Sequence, residues 1–425
     1  MAASTIGILF AMLLAGVPVA LALIGSALCA TLIFASDLLP SLAISVTATA
    51  SNYVLLAIPL FIMAGEIAVR GKLLEPLVDL ARSLLAPVPG GTGAATVGTC
   101  MFFAGITGST AAEAAAVGTF GLPVMKQAGY PVAFSTAIIA CASTFGILIP
   151  PSLTMILFGS ITQTPVGPLF MAGLMPGLLL GFSLMVMVGV MGAARGYGTR
   201  QRFDAALVLR ALARSAWVLA MPLVVVGGIY TGWFTPTEVA AVVVAYGLAV
   251  ATIVYRSLSL RDLVEVCRAT VRVSAMLYFV LIGASLFGFV MTAEGVPQRV
   301  VDWVTASELS PLAFLALINL ILLCMGCFLD GLSMLVISLP LIYPIATQLG
   351  INPLHLAVLM TVNIELGVLT PPVGINLYVM SGISRLRVEE IVRALAPFYV
   401  FLLTGLAVLT YFPVVSTWLP GMLNH

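Results

Sequence analysis

The sequence predicts an all-α polytopic membrane protein with two inverted repeats, two re-entrant helical hairpins and two Pro-broken helices. Three observations carry this: too few charges for a water-facing surface, apolar runs long enough to cross a bilayer, and a broken-helix pattern that recurs at a fixed interval. Hydrophobic residues are 61% of the 425 and charged residues 8%. A soluble domain carries roughly 25% charged residues, so this chain cannot cover a surface in water. The runs Ile6–Phe34, Val54–Val69, Leu169–Gly192 and Leu395–Phe412 suit lipid instead, where a span takes about 20 apolar residues.

These spans are helices. The runs are continuous, whereas barrel strands alternate apolar and polar residues. Glycine (39) and proline (25) are abundant, which membrane bundles tolerate because neighbours re-satisfy freed backbone groups. No Lys or Arg precedes Arg70, so the first run lacks the basic start of a cleavable signal. The cysteines at 29, 100, 141, 267, 324 and 327 make no metal-ligand spacing. Cys324 and Cys327 sit in an apolar helix and read as packing rather than a redox pair. Two histidines, His355 and His425, cannot supply a histidine metal site. No Walker motif, nucleotide fingerprint or nucleophile–base set occurs. The sequence therefore predicts neither an enzyme nor a nucleotide, nucleic-acid or transition-metal site.

Basic residues gather at Arg70–Arg82, Arg195–Arg214, Arg256–Arg272 and Arg385–Arg393, and the positive-inside rule makes these segments cytoplasmic. Spans near 168–193, 215–232, 237–255, 273–292 and 394–413 connect them consistently, with Trp233 and Phe234 at the outer interface and Val414–His425 outside. An outside N-terminus requires either one span plus a partial re-entry in Ile6–Phe34 or two spans before Tyr53. In Arg70–Pro87 the charges Lys72, Glu75, Asp79 and Arg82 oppose Leu73, Leu74, Leu77 and Leu80 at helical spacing. That pattern fits an arm lying in the interface or an ordinary cytoplasmic linker helix. Ser259–Arg272 shows it more weakly.

A repeat is the strongest internal signal. Gly105 and Gly326, Pro123 and Pro344, Gly129 and Gly350, Gly146 and Gly367, Pro150-Pro151 and Pro371-Pro372, and Ser160 and Ser381 all stand 221 residues apart. Each unit has an apolar segment broken by small polar residues, Thr107-Gly-Ser-Thr110 or Asp330-Gly-Leu-Ser333. A second segment ends at Pro123 or Pro344 before a glycine turn. A helix interrupted by Gly-x-x-x-Pro-Pro follows. The pieces are too short to cross comfortably, which predicts hairpins. Paired prolines remove donors and free carbonyls at membrane depth, where unpaired groups cost several kcal/mol. Broken helices of this kind build sites for a cation and an anion, so the symmetry predicts two related cation sites.

Candidate ligands surround the breaks: Ser109, Thr110, Ser143, Thr144 and Ser152 in the first unit, and Asp330, Ser333, Asn363, Thr370 and Asn376 in the second. Each Ser or Thr also fits a role as helix–helix glue. Carboxylates inside apolar runs are functional candidates by default. Asp330 ranks first, at the second break. Glu113 is a proton or ion group or a local cap, and Glu365 adjoins the second Pro-Pro break. Glu66 and Glu238 lie near interfaces, where snorkelling or capping accounts for them.

These residues resemble the large membrane subunit (DctM-like, M subunit) of tripartite ATP-independent periplasmic (TRAP) transporters. Blocks along nearly the whole chain carry the resemblance. They include Gly16-Val-Pro-Val-Ala20, Ile58-Pro-Leu-Phe-Ile62, Pro89-Gly-Gly91, Phe102-Phe-Ala-Gly-Ile-Thr-Gly-Ser-Thr110, Phe234-Thr-Pro-Thr-Glu-Val-Ala240 and Gly367-Val-Leu-Thr-Pro-Pro-Val-Gly374. Thr107 departs from the family's commoner Ser but keeps the hydroxyl. The resemblance implies a sodium-coupled secondary importer of an organic acid (a C4-dicarboxylate, sialic acid or another sugar or keto acid) in the bacterial cytoplasmic (inner) membrane. It implies delivery by a periplasmic substrate-binding protein, a small four-helix (Q-type) membrane subunit on a separate chain, and elevator motion of a transport domain against a scaffold. The expected division is 1–94 scaffold and arm, 95–170 first transport repeat, 171–319 scaffold, 320–385 second transport repeat and 386–425 scaffold and tail.

The expected sodium ligands are Ser109, Ser143 and Gly146 at one break and Asp330, Asn363, Gly367 and Thr370 at the other. The substrate is expected near Ser109, Thr110, Pro151, Ser152, Pro372, Gly374 and Asn376. A self-sufficient sodium–dicarboxylate symporter, a non-transporting membrane scaffold and a channel with hairpin filter loops remain open from sequence.

Overall fold

The computed structural model describes residues 1–85, 87–198, 203–306 and 309–423. Ala86 of the arm, Arg200 and Arg202 of the second basic cluster, and Asn424 and His425 of the tail lie outside the described residues. Every regular element among the described residues is helical. Seven helices there are long and apolar enough to cross a membrane: Tyr53–Arg70, Val166–Ala194, Ala205–Tyr230, Pro236–Val254, Leu260–Ala293, Gly331–Gln348 and Val388–Tyr411.

Local chemistry sets the boundaries. Thr235 and Glu238 form a reciprocal capping box that starts one helix, with Pro236 in its first turn, where its missing N–H costs nothing. Ser259 and Asp262 do the same for Leu260–Ala293. That helix runs unbroken for 34 residues, so Ser259–Arg272 is its opening turns and not a separate interfacial element. No Gly or Pro interrupts the sequence before Gly283, and nothing else there ends a helix. Ile6–Phe34 does divide: Gly16, at φ 79°, and Pro18 separate Ala2–Leu14 from Val19–Phe34. In the arm helix Leu74–Leu85, Leu74, Leu77 and Leu80 are buried while Glu75, Asp79 and Arg82 are exposed. It packs on Gly91–Thr107 and on Ala205–Tyr230.

The 221-residue interval recurs as helices. The first unit is Gly91–Thr107, Thr110–Gln127, Val132–Ala142 and Leu153–Thr162; the second is Pro311–Gly326, Gly331–Gln348, Pro353–Gly367 and Ile375–Ser384. Both Pro-Pro bonds are cis. One expectation needs correction. Pro123 and Pro344 lie inside their helices, which continue a further turn to Gln127 and Gln348. A proline clashes with the turn before it and leaves the next turn free to stay helical. The units also differ: Ser143–Ile147 tightens into a 3₁₀ turn, whereas the equivalent stretch of the second unit remains α-helical to Gly367.

Gly326 and Gly367 explain how the second unit packs. A Cβ on Gly326 would stand 2.7 Å from the Gly367 Cα. Two helices cross there backbone to backbone, which only small residues permit.

Candidate functional site

Both polar breaks converge on one cavity of about 370 Å³. The first hairpin contributes Thr107–Ala112 and the second Asp330–Leu332. The broken helices add Ile147 and Thr154 on one side and Ile364 and Val368 on the other. The facing wall is Ile62, Gly65 and Glu66 of Tyr53–Arg70, with Val273, Met276 and Leu277 of Leu260–Ala293.

Ser109 and Asp330 occupy equivalent positions, each preceding the first residue of a helix aimed at the cavity. Asp330 Oδ2 accepts from the Ser333 backbone N–H at 3.1 Å, and Oδ1 accepts from the Ser333 hydroxyl. Its carboxylate thus caps its own helix, where N–H groups and the helix dipole favour negative charge. Ser109 makes no such side-chain bond. Ser152 ties the first break together: its hydroxyl donates to the Ile147 carbonyl and accepts from Met155 N–H at 3.3 Å. Thr370 donates to the Leu366 carbonyl at 2.6 Å.

Two amides reach beyond their own elements. Asn376 Nδ2 donates to Ser143 Oγ at 3.3 Å, joining the second unit to the first. Asn363 Nδ2 donates to Asn319 Oδ1 at 2.8 Å, and Asn319 Nδ2 donates to Thr410 Oγ1 at 2.8 Å.

Ser109, Thr110 and Asp330 therefore meet at the cavity. Ser143, Gly146, Pro151, Ser152, Asn363, Gly367, Gly374 and Asn376 are buried and do not line it. The two prolyl pairs differ in environment: Pro150 and Pro151 are buried, Pro371 and Pro372 exposed.

The buried polar groups are acceptor-rich. Both carboxylate oxygens of Glu365, and the side-chain carbonyls of Asn363 and Asn376, are buried without a hydrogen-bond donor, and buried Glu113 has only the weak Cys100 thiol beside it. Glu113 does not cap local N–H groups. It stands against the first break, where a Cβ on Gly146 would run into its Oε2. Buried acceptors normally find donors, and a set that lacks them suits cations or protons. Among the described residues no three His, Cys, Asp or Glu side chains cluster as a metal site, and the six cysteines are free.

Sequence reasoning missed the facing wall. Gly65 packs on Thr107, and Glu66 lines the cavity while bonding Arg70 Nε at 3.3 Å. It also missed Asn319. A lone amide in the apolar run Pro311–Gly326 is the signal that could have found it.

The seven long apolar helices among the described residues define a multi-pass membrane protein with a cavity where its two helix breaks meet. The fold is similar to the YdaH transporter of Alcanivorax borkumensis, with a TM-score of 0.61 at 16% identity over 89% of this chain and 88% of that one. Residues 6–415 match the family of the tripartite ATP-independent periplasmic transporter, DctM component, and the chain belongs to that family. It is 40% identical over 393 residues to the C4-dicarboxylate TRAP transporter large permease protein DctM of Pseudomonas aeruginosa, covering 92% of each chain. It is 36% identical to the isethionate TRAP transporter permease protein DctMQ of Oleidesulfovibrio alaskensis, covering 96% of this chain and 65% of that protein. The chain is thus a transporter component of the inner membrane and not an enzyme.

Proposed function

We propose that this chain imports a small organic anion by sodium-coupled secondary transport, with residues 95–170 and 320–385 moving as a unit against a scaffold of 1–94, 171–319 and 386–425. The cavity is the observation that carries this reading. One wall comes from the two repeats and the other from scaffold helices, as an elevator requires. The short second halves of the two broken helices support breaks at membrane depth, although the hairpin helix Gly331–Gln348 is itself long enough to cross. Leu153–Thr162 and Ile375–Ser384 have 10 residues each, about 15 Å of helix against a hydrocarbon core of about 30 Å.

Sodium would be held by Ser109, Ser143 and Gly146 in the first unit and by Asp330, Asn363, Gly367 and Thr370 in the second. The donorless acceptors Asn363 Oδ1 and Asn376 Oδ1 support a cation nearby. When bound, sodium supplies positive charge that draws an anion into the site. No Arg or Lys is among the described residues lining the cavity. The anion would therefore meet the helix start at Thr110, whose N–H groups no side chain caps and which favour negative charge, since Asp330 already caps the helix at Gly331. Pro151, Ser152, Pro372, Gly374 and Asn376 would shape the site behind it. The relatives' names, C4-dicarboxylate and isethionate, support a small anionic cargo. A small membrane subunit and a periplasmic binding protein complete the proposed system.

Uptake of C4-dicarboxylates and of isethionate into vesicles containing the chain, with and without those partners, tests the reading. It expects uptake that needs an inward sodium gradient and both partners. Uptake by the chain alone would mark a self-sufficient symporter. Sodium dependence unchanged after replacing Ser109, Ser143 and Asn363 with alanine would sink the ligand assignment.

A further inference from the structure

A second cavity, of about 620 Å³, opens among the basic segments, between the arm, the base of the first hairpin and the start of Ala205–Tyr230. The arm supplies Asp79 and Arg82, the hairpin base Thr92 and Gln127, and the long helix Arg210 and Arg214. Three guanidiniums thus share the space with one carboxylate. Arg214 Nη1 lies 3.9 Å from Asp79 Oδ2, with both side chains more than half exposed, a geometry that neutralises little. Among the described residues Arg82 and Arg210 make no ion pair, so the cavity keeps a surplus of positive charge.

The surroundings specify the kind of anion. Leu207 lines the cavity itself, and Trp217 lies further along the same side of the long helix; both are exposed large apolar side chains. A tryptophan there fits the membrane–water boundary. A soluble anion has no use for an apolar rim, but an amphiphile with a charged head and acyl tails matches both parts.

We propose that this cavity binds an anionic phospholipid of the cytoplasmic leaflet, its phosphate held by Arg82, Arg210 and Arg214 and its acyl chains lying along Leu207 toward Trp217. Guanidinium forks suit phosphate oxygens, and anionic lipids concentrate basic segments at that surface. The three arginines belong to the proposed scaffold and Val124, Gln127 and Ala128, which also line the cavity, to the proposed moving unit, so the lipid sits at the boundary between them. That last consequence rests on the elevator reading; the binding does not.

The test uses the full chain in a neutral detergent and follows its thermal-unfolding midpoint with phosphatidylglycerol, phosphatidylcholine or inorganic phosphate added. Phosphatidylglycerol is expected to raise the midpoint, and the other two are not. Arg210→Gln with Arg214→Gln is expected to weaken the apparent phosphatidylglycerol affinity about fivefold per guanidinium removed, while Arg272→Gln keeps the wild-type response. An equal rise with phosphatidylcholine overturns the proposal, as does an equal rise with inorganic phosphate, which would mark a soluble-anion site. An unchanged response in the double variant also overturns it. The three additives decide the matter on the wild-type chain if the double variant does not fold. None of these measurements involves sodium or cargo, so this proposal and the carrier reading fail separately.

Discussion

Asn376 donates its side-chain amide to the Ser143 hydroxyl across 3.3 Å, linking residues 233 positions apart. Each belongs to the broken helix of a different repeat, so the two breaks are coupled directly. A buried neutral hydrogen bond contributes about 0.5–1.5 kcal/mol net. Asn376→Ala and Ser143→Ala should each lower the unfolding midpoint, and the double variant should lose less than the two losses added. A thermal-denaturation cycle measures this; strictly additive losses would falsify the link.

Asp330 has two roles that substitutions can separate. As a helix cap it should be replaceable by asparagine, since both residues cap well, whereas Asp330→Ala should cost about 1 kcal/mol. As a sodium ligand it should not be replaceable. Asp330→Asn is therefore expected to keep wild-type thermal stability yet shift the sodium concentration for half-maximal uptake upward. Sodium titrations of uptake beside melting curves give both numbers.

The Gly326–Gly367 crossing leaves no room for a methyl group. With backbone atoms on both sides, Gly326→Ala should cost about 1–3 kcal/mol as overpacking. Gly227 is the control: it also lies in a helix, but nothing stands within 4 Å of a Cβ placed there. Gly227→Ala should be neutral or stabilising by up to about 1 kcal/mol. Melting temperatures of the two variants should move in opposite directions or differ clearly in size.

Tyr130 holds the start of the first hairpin. Its hydroxyl donates to the Gly90 carbonyl at 2.8 Å and accepts from Gly93 N–H at 3.2 Å. Both glycines are buried; Tyr130→Phe strands the Gly93 N–H, while the Gly90 carbonyl keeps the Ala94 N–H at 3.3 Å. A loss of about 1–3 kcal/mol is expected, and hydrogen exchange at Gly93 should speed up relative to distant amides.

The sequence made the repeats readable because glycine and proline act on their own backbones. Gly108 at φ 59° and the two Pro-Pro pairs end helices wherever they occur, and a shared interval shows them in one chain. The leucine face of the arm was readable for the same local reason. Contacts between distant segments were not. Nothing near Asn376 announces Ser143, and nothing near Glu66 separates an interfacial carboxylate from one lining a cavity. Which face of Leu260–Ala293 turns inward at Val273 and Leu277 is decided by packing against other helices, in a run that is apolar nearly all round. Pro123 and Pro344 misled in a milder way, since a proline marks the turn behind it more firmly than the turn ahead.

Pro150-Pro151 is enclosed and Pro371-Pro372 is open to the surroundings, although the two motifs share one spacing and one bond geometry. A protein made of two like halves in unlike settings carries two poses of a single design. Dressing the first half in the pose of the second, and the second in the pose of the first, yields a concrete alternative conformation with no new backbone element invented. Cysteines placed to cross-link only in that exchanged arrangement would turn the asymmetry of one still picture into a test of the other.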